Sequence, residues 1–336
     1  MSLPTLLCCP GTLAEGFASY SASCLRSVFN GKKVSHVLPY ALPHTEADAA
    51  LFLENRKRIS ISGVQEKESM LLEKNNLRLT QPGEQGTYIL KPIPRDVRKV
   101  ELVPANEHLT MQIARQVYKI ATAANALIFF SDGSPAYLTK RFDVKPDGTK
   151  WAVEDFASLA GKTDQNAGPN FKYAYSYEEM GLLLQRYVPA WRVEIERYFV
   201  LVIFNYLFSN GDAHLKNFSL MESVNGDYLL SPAYDLLNTR LHIDDTDLAL
   251  EKGLFAEGYS SPNGNRTDHP TALDFIEFGR RIGISTQRAG KLLLPFRERQ
   301  AAVDRLVRNS FLNEAGKRAY LLAYNTKRNQ LNQLPR

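Results

Sequence analysis

Cysteine is scarce in this sequence: only Cys8, Cys9 and Cys24 occur, all near the N-terminus and with no partnering His or Cys spacing downstream. That excludes a disulfide-stapled framework and argues against a zinc site, so the thiols read as reduced and the compartment as cytoplasmic. Long hydrophobic runs are also missing. The longest, Tyr198 to Phe208, is interrupted by Asn205 and is too short to span a bilayer, so no membrane contact is expected. The opening Met1 to Leu7 lacks a basic n-region and reads as no secretory signal. Charge is nearly balanced: 41 Lys and Arg against 36 Asp and Glu leave +5, which suits an anionic ligand such as a nucleotide but is too weak to imply nucleic-acid binding. Internal repeats, low-complexity tracts, a metalloprotease motif, a nucleophile elbow and a two-glycine Walker A loop are all absent, and the histidines show no metal-binding spacing.

What is present is ordinary globular material. With 44% hydrophobic and 23% charged residues, the 336-residue chain can build one large two-lobed unit or two ordinary domains. Residues 1–57 are mixed, with an amphipathic helix expected over Thr45 to Lys57. Residues 58–150 read as short strands at Arg58 to Lys67, Met70 to Leu72, Leu77 to Leu79, Thr87 to Lys91, Leu127 to Phe130 and Ala136 to Phe142. Asn75-Asn76 and Pro82-Gly83 supply turns, and a helix is expected over Ala105 to Tyr118. Residues 151–336 turn helical, at Tyr177 to Arg186, Arg192 to Ser209, Ala272 to Ile282, Gln287 to Asn309 and Ala315 to Asn332. Strands first and helices afterwards predict an α+β fold, a smaller sheet-containing lobe and a larger helical one, divided near 143–155. The basic stretch from Lys327-Arg328 to Arg336 reads as a frayed end.

The run Val200 to Phe208 is apolar on every side and belongs in the centre of the helical lobe. Directly after it comes the polar, Gly-broken segment Ser209 to Phe218, in which Asp212 and Asn217 stand five apart. Such a loop can aim one carboxylate at a substrate hydroxyl while the amide oxygen reaches a cation, the D-x-x-x-x-N arrangement of kinase catalytic loops. Asp235 follows a short strand and gives a second carboxylate, so Asn217 and Asp235 are the candidate Mg²⁺ ligands. Lys216 is placed near the transferred phosphate, and His214 is assigned to orienting the loop. Asp and Asn in a glycine-containing loop commonly just make turns; Asp, His, Lys and Asn together, with a strand-terminal Asp downstream, favour the chemical reading.

On the nucleotide side, Lys91 ends a strand, as kinase phosphate-binding lysines do, and Glu107 is its candidate charge partner. A strand-end lysine is otherwise usually a solvated edge residue, and Glu107 otherwise a carboxylate near a helix N-terminus. The segment Ser60 to Lys67 can form a turn whose N–H groups face phosphate, and its two serines carry phosphorylatable hydroxyls.

Taken in order, S-I-S-G-V-Q-E-K (60–67), Y-I-L-K-P (88–92), N-E (106–107), K-R-F-D (140–143), N-G-D-A-H-L-K-N-F-S (210–219) and S-P-A-Y-D-L (231–236) resemble the HipA-like toxin kinases of bacterial toxin–antitoxin modules. The resemblance covers about residues 58 to 310. It implies a two-lobed, protein-kinase-like fold that uses ATP and Mg²⁺, with Asp212 as catalytic base and Asn217 and Asp235 as metal ligands. It further implies that Ser62, Gly63, Val64, Gln65, Glu66, Lys67 and Lys91 hold phosphates, and that Lys140, Arg141 and Phe142 form the hinge near adenine. His214, Lys216 and Tyr234 would line the site. Ser60 matches the family's autophosphorylated position, with Ser62 beside it.

The short stretch before the serine loop and the second serine resemble HipT, a short kinase encoded with a small protein, HipS, and a DNA-binding antitoxin, HipB. The resemblance thus implies such partners, DNA contact only through the antitoxin, and an aminoacyl-tRNA synthetase as protein substrate. Two other readings stay open. One is a small-molecule kinase of the aminoglycoside or choline type, with Asp244-Asp245-x-Asp247 as an acidic wall, although that cluster reads more simply as a solvated loop. The other is a nucleotide-gated corepressor that docks a DNA-binding partner.

Overall fold

A computed structural model of the chain describes residues 3–41, 67–94, 97–259, 261 and 269–333. The helix expected at Thr45 to Lys57 and the serine-loop residues Ser60, Ser62, Gly63, Val64, Gln65 and Glu66 lie outside the described residues. The chain divides into two compact units, the first comprising Met1–Ile113, Ala123–Thr149 and Val303–Arg318, the second Ala114–Thr122, Lys150–Ala302 and Ala319–Arg336.

The first unit is built on a sheet of β1 (Glu68–Glu73), β2 (Asn76–Leu79), β3 (Tyr88–Lys91), β4 (Asn125–Phe129) and β5 (Pro135–Lys140), ordered β2-β1-β3-β5-β4 and antiparallel throughout. The β1–β2 turn puts Lys74 in the left-handed region (φ 54°), one residue earlier than the expected Asn75-Asn76 turn. Helix α1 (Ala22–Phe29), which periodicity did not announce, is closed at both ends. Ser21 Oγ accepts the Cys24 N–H at 3.2 Å, and Asn30 leaves the helix in left-handed conformation. Its buried Cys24, Val28 and Phe29 join Tyr88, Leu90, Ala126, Ile128 and Leu138 in one core cluster. Helix α2 (Val103–Gln116) is buried along most of its length, including Asn106, Glu107 and His108. Burial holds the His108 imidazole down to about 4, and its Nε2 meets the Gly11 carbonyl at 3.3 Å.

The second unit holds a small antiparallel sheet, β6 (Val153–Asp155), β7 (Ser219–Glu222) and β8 (Tyr228–Leu230), within a helical body. Its helices include the one-turn pieces α3 (Phe156–Leu159) and α4 (Asp164–Ala167), then α5 (Tyr177–Tyr187), α6 (Trp191–Leu207), α7 (Ala272–Arg281) and α8 (Thr286–Arg297). Helices α9 (Ala301–Asn309) and α10 (Glu314–Leu331) complete the chain. A Ser176–Glu179 capping box starts α5, each side chain bonding the other's backbone N–H (3.1 and 2.8 Å). The expected single helix Gln287 to Asn309 is two. The chain turns extended at Glu298, and Gln300 bonds back to the Pro295 carbonyl at 2.9 Å, taking up an acceptor that a continued helix would use itself. The expected frayed end is also corrected: α10 runs to Leu331, and Lys327 within it is buried. Among the described residues no helix is long and apolar enough to cross a membrane.

As its apolar sequence requires, α6 is buried on nearly every side. Asn205, the polar interruption, is kept inside because its Nδ2 donates to the Leu201 carbonyl at 3.0 Å and its Oδ1 accepts from Asn210 at 2.7 Å.

Candidate active site

The segment after α6 turns sharply at Ser209 (φ 52°) and is then tied down on both sides. Thr239 Oγ1 accepts the Gly211 N–H at 2.9 Å and donates to the Ser209 carbonyl at 3.0 Å, and the Thr239 N–H bonds that carbonyl too. Asn210 Nδ2 reaches the Asp235 carbonyl at 3.3 Å as well as Asn205. The Ala213 carbonyl accepts from Tyr177 Oη at 2.8 Å, and the Leu215 N–H donates to the Lys172 carbonyl at 3.1 Å. A single 3₁₀ turn, Leu215–Asn217, leads into β7. Asp212 is thus carried by backbone fixed at residues 209, 211, 213 and 215.

Asp212 itself is left accessible, its side chain 46% exposed. Tyr173 Oη donates to Asp212 Oδ1 at 2.6 Å, and burial together with that carboxylate pushes the phenol above its ordinary range. Buried His214 places Nε2 3.6 Å from the same oxygen. Burial outweighs the attraction of Asp212 and lowers the imidazole to about 4, so His214 is neutral at pH 7. Beside Asp212, the Asn217 amide spans two segments: its Oδ1 accepts the His214 N–H at 3.2 Å and its Nδ2 lies 3.4 Å from Asp235 Oδ2. Asp235 holds a left-handed backbone (φ 55°), which is costly for a non-glycine residue and concentrated at functional sites. Tyr234 next to it donates to the Lys216 carbonyl at 3.0 Å and meets Ser219 Oγ at 2.6 Å, which joins the strand-terminal turn to the loop. The Lys216 ammonium stands 5.9 Å from the Phe171 ring centroid.

The second unit therefore brings Asp212, His214, Lys216, Asn217, Tyr234 and Asp235 together. Sequence reasoning singled out neither Tyr173 nor Thr239. They lie 39 and 28 positions from their partners in the loop, and no local pattern marks them. The Asp244 to Asp247 cluster is only in part the expected solvated loop: Asp244 and Thr246 are exposed, Asp245 is half-buried and Asp247 is buried. Asp247 is buried against Lys327, with Arg240 at 3.3 Å and His269 at 2.7 Å, so its charge is neutralised inside the protein. Asp245 packs on Gly211 so closely that a Cβ there would overlap its carboxylate, and burial raises its pKa, with Asp212 adding to the effect.

In the first unit Lys91 is no solvated edge residue. β3 lies between β1 and β5, and the lysine is 4% exposed with Nζ 2.6 Å from Glu107 Oε1 and 5.4 Å from the Tyr137 ring centroid. Lys140, at the end of β5, donates to Asn30 Oδ1 at 2.6 Å, and partial burial lowers its pKa. Arg141 binds Asp143 through two nitrogens (2.9 and 2.5 Å), its N–H bonding the Thr87 carbonyl. Phe142 and Lys67 are partly buried.

The donor set suits a small hard cation. Asn217 and Asp235 carry one amide and one carboxylate on neighbouring side chains, with the amide nitrogen toward Asp235 Oδ2 and the amide oxygen on the His214 N–H. Once that oxygen turns to a cation, the two supply the number of protein oxygens that Mg²⁺ takes when phosphate and water complete its shell. Among the described residues there is no group of three or more His, Cys, Asp or Glu that could hold a metal.

Known proteins resemble this chain in both sequence and fold. The model of the HipA-like C-terminal domain family matches residues 59–305. A Haemophilus influenzae protein provisionally named a kinase is 25% identical over 315 residues, covering 89% of this chain and 88% of its own. The Sinorhizobium fredii protein Y4dM, likewise provisionally named a kinase, is 32% identical over 209 residues, 58% of this chain and 48% of that protein, so the match spans about half its length. Among solved structures, HipA from the complex of the Shewanella oneidensis MR-1 toxin–antitoxin system HipA, HipB and operator DNA superposes with a TM-score of 0.62 at 18% identity. That match covers 86% of this chain and 72% of that one. The Helicobacter pylori proinflammatory kinase CtkA gives 0.50 at 12% identity, over 78% and 93%. The family match takes in most of the chain, every candidate residue of both units and the serine loop, and the chain belongs to the HipA-like C-terminal domain family, with its two-lobed, protein-kinase-like α+β fold.

Proposed function

We propose that the protein is a Mg·ATP-dependent serine/threonine protein kinase of a toxin–antitoxin module. The observation that carries this reading is the half-exposed Asp212 carboxylate braced beside the paired side chains of Asn217 and Asp235. With Oδ1 engaged by Tyr173, Asp212 keeps Oδ2 for the proton of an acceptor hydroxyl, the role of a general base in phosphoryl transfer. Asn217 and Asp235 would hold Mg²⁺, which when bound neutralises charge on the phosphate oxygens. Lys216 adds a cation on the same loop, and neutral His214 fills the space behind Asp212 without competing for its proton.

In the first unit, Lys91, held by Glu107, would contact the α- and β-phosphates, with Lys140, Arg141 and Phe142 beside adenine and Ser62 to Lys67 over the phosphates. Phosphorylation at Ser60 or Ser62 would set up to about two negative charges where ATP's phosphates belong and so shut the enzyme down. The expected assembly is with a HipB-like antitoxin and a HipS-like small protein, and the expected substrate an aminoacyl-tRNA synthetase. Intact mass after incubation with Mg·ATP tests the core of this reading. Phosphate should appear on the wild type, map to Ser60 or Ser62, and be missing from Asp212→Asn. Equal incorporation by both proteins would remove Asp212 from the chemistry.

A further inference from the structure

A cavity of about 350 Å³ opens within the second unit. Its wall is largely apolar, from Ile120, Ala121, Val200, Leu201, Leu230 and Leu292. At about 30 Å³ per water-sized volume it has room for roughly ten to twelve heavy atoms. The size and apolar character are those of a small-molecule site rather than a packing defect.

The polar residues of the lining do not balance. Glu196 is committed to Arg288 through two bonds (2.8 and 2.6 Å). Arg197 bonds buried Glu194 at 2.7 Å, and Glu194 also accepts the Leu230 N–H at 3.0 Å, which fixes this side of the wall. Lys119, exposed at the rim, has no carboxylate among the described residues, and its ammonium bonds the Gln116 carbonyl at 2.7 Å. Its left-handed φ of 57° takes the chain out of α2, with the next N–H, of Ile120, bonding back to the Ala114 carbonyl at 3.0 Å, which fixes Lys119 at the rim. An apolar cavity with one unmatched cation selects a ligand with an apolar body and one negative charge.

We propose that this cavity is a second ligand site, for a small apolar monocarboxylate whose chain lies on Leu201, Leu230 and Leu292 and whose carboxylate meets Lys119. The proposal is independent of the kinase reading, since it concerns neither Asp212 nor the nucleotide. The site nevertheless adjoins the catalytic machinery in sequence. Ala233 in its lining precedes Asp235 by two residues, and the Leu201 carbonyl holds the Asn205 amide.

Octanoate is a suitable probe, titrated calorimetrically into the full chain beside its uncharged amide. Saturable octanoate binding is expected, together with slowed amide hydrogen exchange in residues 230–236. Lys119→Gln should weaken octanoate about five-fold, as expected for one exposed ion pair, and leave octanamide unchanged. Val193→Trp and Ala121→Trp, both at exposed lining positions, should obstruct the cavity and abolish binding without disturbing the fold. No saturable binding, equal affinity for the amide, or binding that survives both tryptophans would each overturn the site.

Discussion

The two units solve opposite problems with charge. In the sheet unit Lys91 and Glu107 are both almost fully buried and sit 2.6 Å apart, so neither charge can be removed without stranding the other. In the helical unit Asp212 stays half exposed and is steadied by the Tyr173 hydroxyl and by backbone bonds through Thr239, Tyr177 and Asn210. A group that only has to present a charge can be locked in a dry pair. A group that is to take a proton, the role proposed for Asp212, has to stay wet and keep an oxygen open, so its positioning falls to neutral groups around it. Each unit also carries a buried histidine lowered to about 4 by burial, His108 in the first and His214 in the second.

The comparison is broken most directly at Asp212. Asp212→Asn should lower phosphoryl transfer by about 10²- to 10⁴-fold, the usual contribution of a positioned base, with little change in unfolding midpoint because the carboxylate is half exposed. A loss of activity matched by a loss of fold would make Asp212 structural instead. In the sheet unit the balance should invert. Lys91→Met or Glu107→Leu alone should cost about 3–5 kcal/mol in denaturant unfolding, and the double variant should recover most of it, because the penalty is the stranded partner. Simple additivity of the two losses would show that the pair is not coupled.

The two histidines sharpen the likeness between the units. An unfolded imidazole takes a proton near 6.5 and these folded ones only near 4, so between those values the unfolded chain binds more protons. Stability should therefore fall as pH drops from 6.5 to 4 and level off below, by about 3 kcal/mol for each histidine. Urea titrations across that window, with His214→Gln removing the share due to His214, check the sign. The smallest effect is expected at Thr239→Val, which leaves the Gly211 N–H without its acceptor and the Ser209 carbonyl one donor short, and should cost about 1–3 kcal/mol. Transfer rate should drop in the same variant, since the loop carrying Asp212 loses its clamp.

Much of this was readable along the chain. Alternation and turn residues located β1 to β5 to within a few residues, and the all-apolar run announced α6 as the buried centre. The misses have physical causes. Strands β6 and β7 are three and four residues long, too short to show alternation against a helical background. Apolar spacing continues from α8 into α9, so the break at Glu298 had no periodic signal. Asp244 to Asp247 and Lys327-Arg328 each look like solvated charge when read alone. Burial of Asp247 with Lys327 depends on α10 returning to the 247 loop, a long-range contact that no window of sequence contains.

The sequence by itself determined the main run of strands and helices and the residue types of the candidate catalytic loop, because helix and strand periods and a D-x-x-x-x-N spacing are local properties of the chain. Tertiary structure alone decided which distant groups steady those residues. Tyr173 on Asp212 and Thr239 across Gly211 are meetings of segments far apart in the chain, brought about by burial of the surrounding apolar surface.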